Sequence, residues 1–234
     1  MKSSWLIGVL ILTPIYASAL TLTTEDYPPF NFSADGGKTM TGSASEVMNE
    51  VLKRTGIKAT MSIYPWERAY KAAQDDKETC VFSATRTEAR EKLFKWVGPL
   101  AADSWTLYAK PDSTITAKTL DDVKKYTIGG YQGDAKAIFL KGKGLKVDET
   151  MKDEQNVKKL DAGRIDLWAA SSSVGPWVAK NNNVKIKPII SFQDVQLFAA
   201  CNLAMPDADI AKMNDAIKAI KSDGTYDKIL KNYQ

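Results

Sequence analysis

A chain of 234 residues, 44% apolar and 26% charged, is long enough for one large domain or two modest ones and too apolar for disorder. Its 32 cations against 28 anions leave a formal charge of +4, with no dense basic run, so a nucleic-acid partner has no support. Histidine is absent and cysteine occurs twice, which excludes serine or cysteine catalysis through a histidine and a zinc site of the usual Cys/His kind.

The first nineteen residues read as an export signal. Lys2 is the only charge before Glu25, Trp5 to Ile15 is an apolar run, and Ala17-Ser18-Ala19 supplies a small-residue cleavage site. The run is shorter than the ~20 residues a membrane span needs. Cleavage after Ala19 leaves 234 − 19 = 215 residues, with a net charge of +3 once Lys2 is gone. Leu20 rather than a cysteine follows the site, which argues against a lipid anchor. Export implies an oxidising compartment, where Cys80 and Cys201 are either one disulfide or two buried thiols.

The mature chain opens with a strand, Leu20–Thr24, stopped by Tyr27-Pro28-Pro29. Asp35-Gly36-Gly37 is a turn. Ser43-x-x-Glu46 has the spacing of a capping box and leads into a helix ended by Gly56. Lys58–Tyr64 alternates like a strand. Pro65 opens a second helix, with Trp66, Ala69, Tyr70 and Ala73 on one stripe. Cys80–Ala84 is a short buried strand. This β-α-β-α-β pattern predicts a parallel sheet covered by helices.

The pattern then restarts. Strands are expected at Trp105–Ala109, Thr127–Tyr131, Val147–Thr150, Ile165–Ala170, Val184–Ile190 and Val195–Leu203. Helices are expected at Thr119–Lys125, Asp134–Lys141, Asp153–Ala162 and Val174–Lys180, then from Pro206 to Gly224 and over Tyr226–Tyr233. Periodicity thus reaches two α/β clusters and a helical tail. It does not say which segments fold together.

Arginine is scarce. Arg54, Arg68, Arg86, Arg90 and Arg164 stand against 27 lysines, and three of the five fall between positions 68 and 90. A guanidinium grips carboxylate with two parallel hydrogen bonds. Placed just after a strand carrying Ser83 and Thr85, Arg86 and Arg90 suit an anion pocket. They equally suit surface ion pairs with Glu88 or Glu91. Tyr27 and Trp66 either line a cleft or fill a core.

Several segments in order narrow this. Tyr27-Pro28-Pro29-Phe30, the helix 44–55, Pro65-Trp66-Glu67-Arg68-Ala69, the run from Ser83 to Arg90, Phe94-Lys95-Trp96-Val97-Gly98-Pro99-Leu100, Gly163-Arg164-Ile165-Asp166 and Asp223-Gly224-Thr225-Tyr226 resemble the family 3 extracellular solute-binding proteins of bacterial ABC importers, over the whole mature chain. The resemblance implies an α/β, two-lobe periplasmic binding protein fold of type II. Lobe one is then 20–104 plus 197–234 and lobe two is 105–196, with Ala101–Trp105 and Gln193–Leu197 as the crossings. It also implies a binding protein, not an enzyme: monomeric, periplasmic and free of cofactor and metal, with a small solute and an inner-membrane permease as partners. Arg90 matches the residue that holds the ligand carboxylate, Ser83 and Thr85 its neighbouring donors, and Tyr27 and Trp66 the aromatics around the ligand. Arg68 and Arg86 are shared with some short relatives only.

Two positions depart from the family. Ser171 stands where an acid usually holds the ligand ammonium. Gly133-Asp134-Ala135 replaces a Gly-Thr-Thr at a helix head, so Asp134 either takes over the ammonium or caps its helix. The expected solute is therefore carboxylate-bearing, a polar or acidic amino acid or an organic acid, with basic amino acids disfavoured. The rival class is an enzyme on the same scaffold like the cyclohexadienyl dehydratases, with Glu67 or Asp134 as its acid. With Cys80 and Cys201 both assigned to lobe one, the last strand is expected to run beside the Cys80 strand, which favours the disulfide.

Overall fold

The computed structural model describes residues 19–34 and 39–233. The export segment up to Ser18 and the turn at Asp35-Gly36-Gly37 lie outside them.

The first half of the chain forms β1 (Leu20–Thr24), the short hairpin of β2 (Phe32–Ser33) and β3 (Met40–Thr41), α1 (Ser43–Thr55), β4 (Ala59–Ile63), α2 (Trp66–Asp75) and β5 (Thr79–Thr85). A 3-10 turn, Glu88–Leu93, leads into the long strand β6 (Lys95–Ala109). A second 3-10 turn, Leu120–Val123, precedes β7 (Thr127–Tyr131), α3 (Ala135–Gly142), β8 (Lys146–Thr150), α4 (Asp153–Asp161), β9 (Leu167–Ser171) and α5 (Val174–Asn181). The long β10 (Lys187–Cys201) is followed by α6 (Asp207–Ser222) and α7 (Thr225–Lys231).

The strands make one sheet in the order β4-β1-β5-β10-β6-β9-β7-β8. Its two wings are parallel: β1 lies between β4 and β5, and β7 between β8 and β9. Its centre is antiparallel, because β6 and β10 run between the wings and pair with each other from Ala109↔Lys187 to Lys95↔Cys201. This is the two-lobe arrangement: two βαβ wings joined by two crossing strands, with one apolar cluster running from Leu22 and Val47 in the first wing to Val157 and Trp168 in the second. Midway along the crossing, Ala101 faces Leu197, Asp103 faces Val195 and Trp105 faces Gln193, with register shifts on either side. The two segments expected as crossings are thus each other's partners. Around them β6 is buried at both ends and opens over Ala102–Ser104.

Three expectations change here. The sequence suggests separate strands at Val184–Ile190 and Val195–Leu203, yet β10 is continuous. Its polar middle, Gln193-Asp194, interrupts the apolar pattern where the strand crosses from one wing to the other. For the same reason β6 begins at Lys95, ten residues before the expected strand. Ser43-x-x-Glu46 is not a capping box either. Gly42 is the N-cap of α1, with φ of +113°, and a β-carbon there would lie 2.4 Å from the Phe30 carbonyl oxygen. Glu46 instead accepts from the Tyr233 hydroxyl, which also meets the Thr41 hydroxyl at 2.9 Å.

The first core packs Leu22, Val47, Met48, Val51 and Phe82 against Met213, Ile217 and Ile220 of α6. The far core holds Leu107, Ile128, Leu140 and Leu167. After crossing back, β10 pairs antiparallel with β5, and α6 packs on α1 and β6. Cys80 and Cys201 face each other in that pairing and are joined at an S–S distance of 2.06 Å.

Candidate functional site

Open α/β sheets gather ligands at the carboxyl ends of their parallel strands, where the backbone turns away and leaves a crevice. In this chain Glu25 follows β1, Ser83 and Thr85 end β5, Tyr131 ends β7 and Ser171 ends β9. These ends face one another across the line where the wings meet.

On the first wing, Ser83 has φ of +60°, rare for a non-glycine residue and a strain of ~1–3 kcal/mol. Its hydroxyl is buried and unpartnered among the described residues. The 3-10 turn that follows brings Arg90 back under β5. Arg90 is only 7% exposed. Its guanidinium lies 5.3 Å from the Trp66 ring centre and 5.0 Å from that of Tyr70. It donates to the Thr85 carbonyl at 3.3 Å and, across the cleft, to the Gly133 carbonyl at 3.4 Å. The Trp66 indole donates to the same Gly133 oxygen at 3.2 Å, so the two wings touch across the cleft.

On the second wing, Asp134 caps α3 by accepting from the Lys136 N–H at 2.6 Å. It also pairs with the Lys136 ammonium at 2.9 Å. Lys136 is 3% exposed and reaches over to the Tyr27 hydroxyl at 3.3 Å. Burial pulls the Lys136 pKa down, but the Asp134 carboxylate and the other acids beside it win, so it is raised and the lysine is charged. Asp153 is pushed up to about 6 by burial, which Lys136 and a 3.0 Å hydrogen bond from the Trp168 indole oppose. Glu25, between the wings, is pushed up to about 8, first by burial and then by Asp134, against a hydrogen bond with Tyr131. Burial likewise raises Tyr27 and Tyr131.

At the crossing, Asp103 accepts from the hydroxyls of Ser171, Ser172 (2.9 Å) and Ser173 (3.4 Å). The Ser171 oxygen in turn accepts the N–H groups of Ser173 and Val174 at 3.2 Å. A groove of about 1570 Å³ runs alongside, reaching Thr85 and Arg90 on one side, Gly133 and Ser172 on the other, and Asp103 and Gln193 between them.

The structure thus gathers Tyr27, Trp66, Ser83, Thr85, Arg90, Asp134 and Ser171 at one cleft. It sends Arg68 elsewhere and leaves Arg86 on the groove wall with its charge already engaged. Arg68 is exposed and stacks on Tyr64, 4.0 Å from the ring centre. Arg86 is spent on a two-pronged ion pair with Glu91, 2.7 Å at Nε, and lies over Trp96 and Phe198. Four residues of the cleft escape sequence reasoning: Glu25, Asp103, Lys136 and Asp153. Two carry a usable signal, since Glu25 ends a buried parallel strand and Lys136 interrupts the small apolar residues Ala135 and Ala137.

Comparison with known proteins decides the family. The sequence profile of the bacterial extracellular solute-binding proteins, family 3, matches residues 20–234. The chain belongs to this family. Among curated relatives, the ABC transporter arginine-binding protein 1 of Escherichia coli K12 is 26% identical over 211 residues, 87% of this chain and 85% of that one. The lysine/arginine/ornithine-binding periplasmic protein of the same strain is 25% identical over 228 residues, 90% and 85% of the two chains. A solved structure, the ancestral amino acid-binding protein AncCDT-1, described as a precursor of cyclohexadienyl dehydratase, superposes with a TM-score of 0.79 at 22% identity over 92% and 94% of the chains. No helix among the described residues is long and apolar enough to cross a membrane.

Glu25 makes a family-independent expectation. The folded chain keeps this proton up to about pH 8, whereas the unfolded chain releases it near the ordinary 4.5. Between those values the folded state binds more protons, so raising the pH favours unfolding. Thermal stability is expected to fall along this limb and level off above it. Glu25→Gln should flatten the limb; identical pH profiles for wild type and variant would show that Glu25 ionises normally.

Proposed function

We propose that this chain is the periplasmic binding component of an ABC importer. It closes two lobes, 20–104 plus 197–234 and 105–196, over a small carboxylate-bearing solute and delivers it to an inner-membrane permease as a monomer. The observation that carries the reading is Arg90. It is a buried guanidinium that donates to two carbonyl oxygens and, among the described residues, pairs with no carboxylate. An arginine taken out of water without a counter-charge is costly, and a ligand carboxylate removes that cost. The unpartnered Ser83 hydroxyl, two residues before Thr85, adds a donor.

A neutral or acidic amino acid suits this cleft better than a basic one. Asp134 is ion-paired with Lys136, so it is not a free counter-charge for a cationic side chain. The relatives named for arginine and lysine differ from this chain at about three positions in four, which leaves room for a changed specificity. The dehydratase alternative needs a positioned acid. Of its two candidates, Asp134 is engaged by Lys136 and Glu67 is exposed on α2.

The test begins with mass spectrometry of solute co-purified under native conditions and released by denaturation. Calorimetry follows against the twenty amino acids and a set of organic acids. A carboxylate-bearing solute bound without turnover supports the reading. Conversion of prephenate to phenylpyruvate, followed by absorbance, would replace binding with catalysis. A solute with no carboxylate would overturn the role of Arg90.

A further inference from the structure

We propose that the Lys136 ammonium is a built-in cation for the cleft. It fills, from within the chain, an acidic pocket shared by the two lobes, so that the lobes close on it and a free alkylammonium ion enters only when that side chain is removed. This rests on the reading of the cleft as the place where two lobes close. It makes no use of Arg90, so either assignment can fail alone.

A lysine is out of place here. The other lysine ion pairs of the described residues use side chains 27–79% exposed, whereas that of Lys136 is 4% exposed. Holding it there is costly, because the flexible stem loses rotamer freedom and the ammonium loses water. An apolar residue of similar volume often serves a core as well or better. Stability alone therefore does not account for a charge at this position, but its surroundings do. Lys136 stands in the first turn of α3, and its Nζ turns back to the Asp134 carboxylate at 2.9 Å. A second hydrogen bond, at 3.3 Å, crosses to the Tyr27 hydroxyl on the first lobe, and Nζ lies 5.6 Å from the centre of that ring. Asp153, at the start of α4, and Glu25, just after β1, feel the same charge.

These acids come from both sides of the cleft. Asp134 and Asp153 head two helices of the second lobe, and closing brings Tyr27 and Glu25 of the first lobe over them. A carboxylate stripped of water without a partner either takes up a proton or opposes burial. A cation removes that cost, and the chain supplies it on a tether. A tethered ammonium forfeits none of the translational freedom that a free amine loses on binding, and it competes with solute amines at a high effective concentration. Because the second hydrogen bond crosses to Tyr27, the same group latches one lobe to the other.

The experiment removes the side chain and supplies its missing part. Lys136→Ala keeps Cβ and loses the rest of the stem with the ammonium, which are the atoms of n-propylammonium. Wild type and Lys136→Ala, stripped of solute by unfolding and refolding, are followed by melting curves and small-angle scattering. The additions are propylammonium chloride, potassium chloride at equal ionic strength, and n-propanol. The variant is expected to be more extended than wild type and to melt lower. Propylammonium alone should compact it again and, at about ten times its dissociation constant, raise its melting temperature by ~3–6 °C. Wild type, with its pocket filled, should respond no more to propylammonium than to potassium chloride. A solute-free variant as compact as wild type overturns the proposal. So does a variant that propylammonium stabilises no more than the two controls do. A wild type stabilised as much as the variant would place the amine elsewhere and overturn it too. If Lys136→Ala does not fold, Lys136→Met decides, since it keeps the length without the charge: more extended than wild type supports the latch, and equally compact overturns it. None of these probes carries a carboxylate, so every outcome leaves the test of Arg90 untouched.

Discussion

Replacing Arg90 with alanine is expected to weaken binding of the carboxylate solute by about 30-fold to a few thousand-fold. Truncating one partner of a desolvated, hydrogen-bonded charge pair costs ~2–5 kcal/mol, and each 1.4 kcal/mol is about tenfold. Part of that loss belongs to closure rather than to the ligand, because Arg90 also donates to Gly133 across the cleft and stacks by Trp66 and Tyr70. Two further variants separate the parts. Arg90→Lys keeps a cation but not the planar fork, so it should recover only a fraction of the affinity. Trp66→Phe keeps a ring but removes the indole donor to Gly133, and it should cost no more than about tenfold, the worth of one hydrogen bond. Calorimetry on all three, with the amino acid found by the panel, is the measurement. Equal affinity for Arg90→Ala and wild type would remove the site. Tight binding of lysine or arginine to wild type would overturn the charge argument built on the Asp134–Lys136 pair.

The contrast between Arg90 and Lys136 shows what a sequence of this kind can and cannot say. Arginine is five residues in this chain, so an arginine shortly after a buried strand stands out, and the ordered family motifs give it a role. Lysine is 27 residues, so Lys136 is marked only by the small apolar Ala135 and Ala137 on either side. Only the fold shows that Lys136 is enclosed by Tyr27 from the other lobe, a partner 109 positions away. Asp103 and Ser171 are likewise 68 positions apart, and their meeting depends on β6 pairing with β9. Strands buried on both faces, such as β1 and β7, are legible because local pattern decides them. The crossing strands are not, because their middles leave the core, and the apolar signal stops while the hydrogen-bond ladder continues. Arg86 marks the opposite limit. It lines the groove, yet a local pair with Glu91, five residues on, takes up its guanidinium, and that local alternative is visible in the sequence.

Removing the Cys80–Cys201 bond is the second large effect. The bond closes a loop across a separation of 121 positions, which takes in the whole of lobe two. In the chain-entropy model such a loop is worth roughly 5 kcal/mol, and measured losses for native disulfides run about 2–5 kcal/mol. For a chain of this size each kcal/mol moves the melting temperature by ~2–4 °C, so Cys80→Ala with Cys201→Ala should melt roughly 5–20 °C lower. Both cysteines are fully buried, so alanine adds no unsatisfied polar group, and the loss reports chiefly the cross-link. The cleft should be spared. Cys80 is at the start of β5 while Ser83 and Thr85 are at its end, and β10 is held against β6 along its whole length regardless of the bond. Solute affinity below the melting temperature should therefore stay within about threefold. Thiol titration of the denatured, unreduced protein is expected to find none of the two cysteines free. Finding both free, or a double variant that melts with wild type, would show that the β5–β10 pairing holds without a covalent tie. A large affinity loss in a folded double variant would instead show that the end of β5 transmits its position to Ser83.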